Sequence, residues 1–192
     1  MVIASQLRNG MAIRHQGVMY KVVAAEYHPG QGKMGGVAHA RLKNIDTGTF
    51  WEHRFRSDEK LEEVPLEKQQ MDFLYSDADD CVFMNPDTFE QVSVPRKVIG
   101  PAEKFLRPEM RVPVEFFDGR PVSVGFPDIV EVRVAETAQP SHTQQDSTWK
   151  EARLDNGMDI LVPQFIRPGE MIRVDVETGK YAERARTEGK KT

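Results

Sequence analysis

Cysteines, catalytic signatures and helical periodicity are what this sequence has least of. A single cysteine, Cys81, among 192 residues excludes an internal disulfide and any metal site built from several cysteines. We expect it to be buried in a strand. No GxSxG, HExxH, Walker P-loop or CxxC pattern occurs, and the histidines in the first part of the chain lack metal-ligand spacing. The sequence therefore predicts no bound metal, no catalytic cofactor and no catalytic residue.

Long apolar runs are also missing. No stretch approaches the roughly 20 apolar residues of a membrane span, and the first ten residues, MVIASQLRNG, do not form the apolar segment of a signal peptide. The hydrophobic content of 39% and the charged content of 29% are typical of a soluble globular protein. We expect a cytoplasmic protein that makes no contact with a membrane.

What fills the chain instead is a series of short segments in which apolar and polar residues alternate, separated by turn residues. Gln16-Gly17, Asp46-Thr47-Gly48 and Asp118-Gly119 are turn signals between such segments. Residues 96–106 leave room for one or two helical turns, and residues 139–151 are polar and loop-like. The pattern predicts an all-β fold of successive small barrels, the last two of oligonucleotide-binding (OB) type. Changes in charge and pattern predict domains at 1–64, 65–127 and 128–192.

The most distinctive of these segments is a hairpin with a glycine-rich tip. Residues 20–27 and 37–45 read as its strands, and His28 to Gly36 contains four glycines and one proline. Lys33 is the one cation in this tip. It is either a solvated lysine on a surface turn or a lysine exposed for contact with a partner. In the second case the glycines let the backbone approach a large, flat surface.

Charge is unevenly distributed along the chain. Residues 1–57 carry eight Lys/Arg against three Asp/Glu, a net charge of +5, while residues 58–192 carry eighteen against twenty-seven, a net charge of −9. A basic N-terminal part followed by an acidic remainder suggests that the N-terminal part binds a polyanion. Four basic side chains crowd its strands and form either a solvated face or a face toward phosphates: Arg41, Lys43, Arg54 and Arg56.

Residues 150–169, KEARLDNGMDILVPQFIRPG, resemble the C-terminal signature of bacterial elongation factor P. The matching positions are Lys150, Ala152, Gly157, Ile160, Val162, Pro163, Ile166 and Gly169. The resemblance extends to YKVVAAEYHPG, RLKNIDTGT, FLYSDADDCVFMNPDTFEQV and IRVDVETGKYAERAR, and so covers essentially the whole chain. We expect the signature to be mainly structural, with Gly157 and Gly169 at positive φ and Pro163 at an edge or bulge of the last barrel.

The family resemblance implies a KOW/SH3-like barrel followed by two OB-like barrels, in an L shape like that of transfer RNA. It also implies binding to the 70S ribosome between the peptidyl and exit sites, when the ribosome stalls on consecutive prolines. The hairpin tip would contact the CCA end of peptidyl-tRNA through a lysine that a modifying enzyme often extends. The ribosome would do the chemistry, so the chain would be no enzyme, and we expect a monomer. The alternative is a KOW-type RNA- or protein-binding module of transcription or ribosome assembly, against which the signature argues.

The tip departs from the family pattern. The usual Pro-Gly-Lys-Gly reads Pro29-Gly30-Gln31-Gly32 here, so counting from the left strand assigns Gln31 to the functional position, whereas counting back from the right strand assigns Lys33. We predict that Lys33 contacts the CCA end and carries any covalent extension, with Gln31 as the second candidate. Pro29, Gly30, Gly32, Gly35 and Gly36 would support the tip, and Arg41, Lys43, Arg54 and Arg56 would contact the RNA backbone.

Overall fold

Short antiparallel strands build this protein. The computed structural model describes residues 1–30, 35–138 and 148–185, and within these ranges sixteen strands form three separate sheets. The helical pieces in the same ranges are two 3₁₀ segments, Ala4–Gln6 and Gly100–Phe105, and one short helix, α1 (Arg96–Ile99). The predicted all-β fold is confirmed, as is the helical stretch that the sequence placed within residues 96–106.

The first sheet has six strands in the order β1-β6-β2-β3-β4-β5. Their bounds are β1 (Val2–Ile3), β2 (Ala12–His15), β3 (Val18–His28), β4 (Val37–Asn44), β5 (Phe50–Arg56) and β6 (Lys60–Glu63). The first 3₁₀ segment contacts β4 and β5, so the sheet curls around a core that includes Ile13, Leu42 and Phe55. At the β2–β3 turn Gln16 and Gly17 have φ of 51° and 80°, the positive values that a two-residue hairpin turn requires.

The middle sheet has five strands in the order β11-β10-β7-β8-β9. Their bounds are β7 (Glu67–Ser76), β8 (Asp80–Met84), β9 (Gln91–Pro95), β10 (Arg111–Phe117) and β11 (Arg120–Val124). Strand β9 also contacts β11, so this sheet closes toward a barrel. Cys81 is fully buried on β8, and Asp118 and Gly119 have φ of 50° and 74° between β10 and β11. Both sequence predictions are thereby confirmed.

The third sheet has five strands in the order β14-β13-β12-β15-β16. Their bounds are β12 (Ile129–Thr137), β13 (Trp149–Leu154), β14 (Asp159–Pro163), β15 (Met171–Asp175) and β16 (Tyr181–Arg184). The sequence predicted a loop as far as residue 151, and this is wrong at its end. Trp149 and Lys150 already pair with Pro163 and Val162, because the polar residues of this segment alternate with buried ones instead of forming a loop.

The chain forms two compact units. One contains residues 1–100 and 107–125, and the other contains Pro101–Leu106 together with the chain from Phe126 onward. The short segment 101–106 belongs to the second unit because Phe105 is buried in the core of the third sheet, beside Val132, Leu154 and Ile172. The domain boundaries near residues 64 and 127 stay predictions.

Within the first unit, a seam of apolar and charged contacts joins the first sheet to the middle sheet. Its apolar part consists of Ala12, Met19, Ile45, Val64, Leu66, Phe117 and Val122. Its ionic part centres on Glu115 of β10, which is 8% exposed and pairs with Lys21 of β3. A buried carboxylate is tolerated only when it is paired and hydrogen-bonded, so this contact ties the base of the hairpin to β10.

Two further contacts complete the seam. The Arg120 guanidinium lies 2.9 Å from the Asp46 carboxylate, and the Lys43 ammonium donates a hydrogen bond to the Val98 carbonyl. Gly48 lies so close to the backbone of Lys97 that a Cβ atom added there would be 2.2 Å from its carbonyl oxygen. The turn between β4 and β5 therefore packs directly on the segment that follows β9.

No helix among the described residues is both long enough and apolar enough to cross a membrane.

Candidate nucleic-acid interface

The long hairpin of the first sheet carries the predicted tip. Strands β3 and β4 stay paired as far as His28 and Val37. Gly36 is held where only glycine fits, because an added Cβ would lie 2.9 Å from the His28 carbonyl oxygen and 2.7 Å from the Tyr27 hydroxyl. The Ser57 amide donates to the Gly36 carbonyl at 2.9 Å, which fixes the base of the tip against the end of β5.

The predicted tip residues divide between described and undescribed positions. Pro29, Gly30 and Gly35 are described and follow or precede the hairpin strands, and a Cβ added to Gly35 would meet no atom within 4 Å. Lys33, Gln31 and Gly32 lie outside the described residues. The choice between Lys33 and Gln31 stays a prediction.

Strand pairing places the predicted basic residues on one face. Across β4 and β5, Val37 is opposite Arg56, His39 is opposite Arg54, and Arg41 is opposite Glu52. Side chains two residues apart on a strand point to the same side, so Arg41, Arg54 and Arg56 share the outward face of the sheet.

The fourth basic residue, Lys43, lies at the edge of this face and is turned into the seam. Its ammonium is bonded to the Val98 carbonyl, and burial lowers the pKa of Lys43. Phe50, its cross-strand neighbour, is 53% exposed, and the Arg41 guanidinium lies 4.6 Å from the centre of the Phe50 ring. Arg41 and Phe50 thus form an exposed cation–aromatic pair that sequence reasoning missed.

A groove of about 510 Å³ opens on the same outward face of β3, β4 and β5. Its polar lining consists of Glu26, His39, Arg41, Glu52, His53 and Arg54. Small residues form part of the lining, including Ala24, which follows an irregularity in the β3–β4 register. The two glutamates were not predicted as part of the interface. The same alternation that placed Arg54 would have placed Glu52, two residues earlier on β5, beside it.

The histidines of the first part form two separate groups of rings. His15 and His53 pack with Trp51 and Phe55, with 4.4 Å between the ring centres of His53 and Trp51. His28 lies edge-on to the ring of His39, with 4.8 Å between their centres. No cluster of three or more potential metal ligands occurs among residues 1–30, 35–138 and 148–185.

The C-terminal signature builds the third sheet. Four of its side chains are buried in that core: Ala152, Ile160, Val162 and Ile166. Gly157 and Gly169 have φ of 81° and 87°, as predicted, and Pro163 ends β14, the first strand in the sheet order. Lys150 is half-buried on β13. These placements support a structural role for the signature.

We expect Gly157→Val to destabilise the third sheet by about 2 kcal/mol, because a β-branched residue at positive φ is strained. Since a Cβ at this position would meet no atom within 4 Å, the loss measures backbone strain alone. Unfolding is followed by the fluorescence of Trp149 in a Trp51→Phe background. Gly157→Asn is the matched control and should cost a few tenths of a kcal/mol, because Asn tolerates this conformation. A Gly157→Val variant that keeps its stability but loses RNA or ribosome binding would identify the signature as a contact surface.

Comparison with known proteins identifies relatives along nearly the whole chain. Three family models match it: the elongation factor P KOW-like domain over residues 3–61, the elongation factor P OB domain over 66–124, and the elongation factor P C-terminal model over 130–184. These matches agree with the predicted KOW-like and OB-type architecture.

Curated relatives named elongation factor P are similar over their full length. The chain is 40% identical to that of Acidobacterium capsulatum over 184 residues, which covers 95% of this chain and 98% of the relative. It is 37% identical to that of Symbiobacterium thermophilum over 187 residues, which covers 96% and 100%. Among solved structures, eukaryotic translation initiation factor 5A from Methanococcus jannaschii aligns with a TM-score of 0.45 at 21% identity, covering 65% of this chain and 92% of that one. The sequence relatives carry the assignment.

Proposed function

This chain belongs to the elongation factor P family of translation factors, and from that premise we propose that it promotes peptide-bond formation on ribosomes stalled at consecutive prolines. It would bind the 70S ribosome between the peptidyl and exit sites, with its hairpin tip at the CCA end of peptidyl-tRNA. The observation that carries the proposal is the full-length family match combined with the hairpin arm, whose base is fixed at Gly36.

The proposed mechanism is positional. Proline has a ring that restricts the chain, so the reacting groups on the ribosome meet less often in the correct geometry. Holding the end of peptidyl-tRNA in place removes part of the entropic barrier. A long cation among phosphates adds electrostatic orientation without taking part in the reaction. The ribosome does the chemistry, and the chain acts without a catalytic residue or a metal.

We assign the tip contact to Lys33, with Gln31 as the second candidate. Glutamine carries no charge, whereas the Lys33 ammonium, or a covalent extension of it by a lysine-modifying enzyme, can reach RNA phosphates and base edges. Lys33 is the one cation in the sequence between Lys21 and Arg41. The tip glycines would let the backbone approach the tRNA end closely. No other cofactor is part of the proposal.

Arg41, Arg54 and Arg56 are proposed to contact the RNA backbone, since they share the outward face beside the hairpin. Lys43 is the weakest member of this group because its ammonium is bonded to the Val98 carbonyl. The monomeric state and the cytoplasmic location belong to the same proposal. The alternative of a generic KOW-type module in transcription or ribosome assembly explains only one of the three family matches.

Co-sedimentation with ribosomes tests the proposed function. The full chain should pellet with ribosomes stalled on a polyproline message and much less with vacant ribosomes that carry no peptidyl-tRNA. Equal binding to both, or binding to free RNA polymerase in preference to ribosomes, would favour the alternative module.

We expect Arg54→Ala and Arg56→Ala each to flatten the salt dependence of RNA binding. Each phosphate contact contributes roughly 0.7–0.9 to the slope of log K against log salt concentration, so each variant should lose about that much. Arg153→Ala is the matched control, because Arg153 lies on the third sheet, outside the proposed RNA face. It is paired with Asp159 at 2.8 Å, much as Arg56 is paired with Asp58 at 3.1 Å. Slopes that remain unchanged in both test variants would contradict a phosphate-facing role for this surface.

A further inference from the structure

The groove on the outward face of β3–β5 contains charged side chains, two of which have no ion-pair partner among the described residues. Arg41 and Glu52 are directly opposite each other on paired strands, a position where opposite charges usually attract. Arg41 lies over the Phe50 ring instead. Within the part of the chain that the structure describes, Glu52 and Arg54 make no ion pair.

The groove contains carboxylates, which a surface that binds only phosphates would not be expected to have. Glu26 and Glu52 line the same groove as Arg41 and Arg54, and each would repel a nearby phosphate. A carboxylate accepts hydrogen bonds from the exocyclic amino group of a nucleobase, as glutamate does with cytosine. The groove thus offers acceptors for a base and donors for a phosphate, side by side.

The neighbouring groups suit a flat ligand. Ala24 leaves open space at the groove wall where a larger side chain would fill it, and the groove volume of about 510 Å³ lies within the range of small-ligand sites. Unpaired bases in RNA complexes stack on aromatic rings and on the planes of arginine guanidinium groups. Arg41, supported by Phe50 from below, provides such a plane.

We propose that this groove binds one unpaired nucleotide whose base carries an exocyclic amino group. Glu52 would accept a hydrogen bond from that amino group, Arg54 would contact the adjoining phosphate, and Arg41 would stack on the base. This deepens the proposed function, on which it rests, by adding a base-reading subsite to the hairpin arm that is separate from the tip. Cytosine, adenine and guanine carry such a group, and uracil does not, because it has a carbonyl where cytosine has its amino group.

Binding of pentacytidylate and pentauridylate to the full chain tests the proposal, with 5′-labelled oligonucleotides and fluorescence anisotropy at low salt. The native protein should prefer pentacytidylate by roughly tenfold or more, the amount expected for one hydrogen bond to a charged acceptor. Glu52→Gln should reduce that preference to less than twofold, because an uncharged amide can accept from the amino group of cytosine or donate to the carbonyl of uracil. Arg54→Ala should weaken the binding of both oligonucleotides by the same factor.

Glu63→Gln is the matched control, because Glu63 is an exposed carboxylate of the same sheet on β6, and the substitution changes net charge by the same amount. It should leave the preference unchanged. A native protein that binds both oligonucleotides equally, or a Glu52→Gln variant that keeps the full preference, would overturn the proposal.

Two further measurements separate this subsite from the proposed function and identify the source of the nucleotide. Lys33→Ala should keep the pentacytidylate preference even if it loses activity on stalled ribosomes. Base binding in the groove and action on stalled ribosomes can therefore be tested independently. Intact tRNA should compete with pentacytidylate better than tRNA trimmed of its three terminal nucleotides if the bound nucleotide comes from the tRNA end. Equal competition assigns it to another unpaired stretch, as in ribosomal RNA.

Discussion

Lys33→Ala is expected to abolish the relief of stalling on a Pro-Pro-Pro reporter while leaving the fold intact. The proposed tip contact depends on one long cation, and the sequence offers no other between Lys21 and Arg41. The sequence predicts that Lys33 lies on a surface turn, and removing a lysine from such a position changes stability by no more than about 0.5 kcal/mol. The measurement is reporter read-through in a host that lacks its own factor, with the thermal melting curve of the purified variant as the check on folding.

Two companion substitutions decide what the tip requires. Lys33→Arg should be partly active if positive charge alone orients the tRNA end, and inactive if a lysine-specific extension is needed, because arginine cannot accept that chemistry. Gln31→Ala is the matched control within the same loop and should be mild. If Gln31→Ala is inactive while Lys33→Ala retains activity, the tip has been aligned from the wrong strand.

Gly48→Ala is expected to destabilise the first unit by about 3–5 kcal/mol, one of the largest effects that a single methyl group can have. Gly48 has φ of 74°, which costs an alanine about 1–2 kcal/mol by itself. The added Cβ would also lie 2.2 Å from the Lys97 carbonyl oxygen, a backbone atom that moves only if the seam opens. Fluorescence of Trp51 in a Trp149→Phe background, followed through urea unfolding, reports this loss.

Gly119→Ala separates the two causes. Gly119 has the same φ of 74° in the same unit, but a Cβ there would meet no atom within 4 Å. It should therefore show the conformational cost alone, about 1–2 kcal/mol. The difference between the two variants measures how firmly the first sheet is seated on the middle sheet. Equal losses of unfolding free energy in the two variants would mean that the seam opens at little energetic cost.

The features that could be predicted from the sequence were local ones, namely turns and the faces of strands. The turns at Gln16-Gly17 and Asp118-Gly119 were predictable because positive φ values restrict the residue types at those positions. The shared face of Arg41, Arg54 and Arg56 followed from strand alternation. The turn at Gly157 was predictable for the same reason as the other two.

Contacts between residues far apart in the sequence could not be predicted from it. Alternation assigns Lys43 to a face, but it does not reveal that the Val98 carbonyl, 55 residues away, lies over that face. The burial of Glu115 depends equally on Lys21 from another sheet. The groove was missed because a net charge gives Glu26 and Glu52 no position, whereas their place beside Arg54 becomes clear only once three strands are aligned.

The membership of residues 101–106 in the second unit has a consequence for synthesis of the chain. Phe105 leaves the peptide tunnel before the strands that will cover it, since its core partners run from Val132 to Val174. Until those strands emerge, an apolar aromatic side chain remains solvated between two pieces of a middle sheet that is otherwise ready to close. Because of the order of translation, Phe105 becomes buried only when the third sheet is complete. Closure of the middle sheet alone leaves this aggregation-prone side chain exposed on the nascent protein.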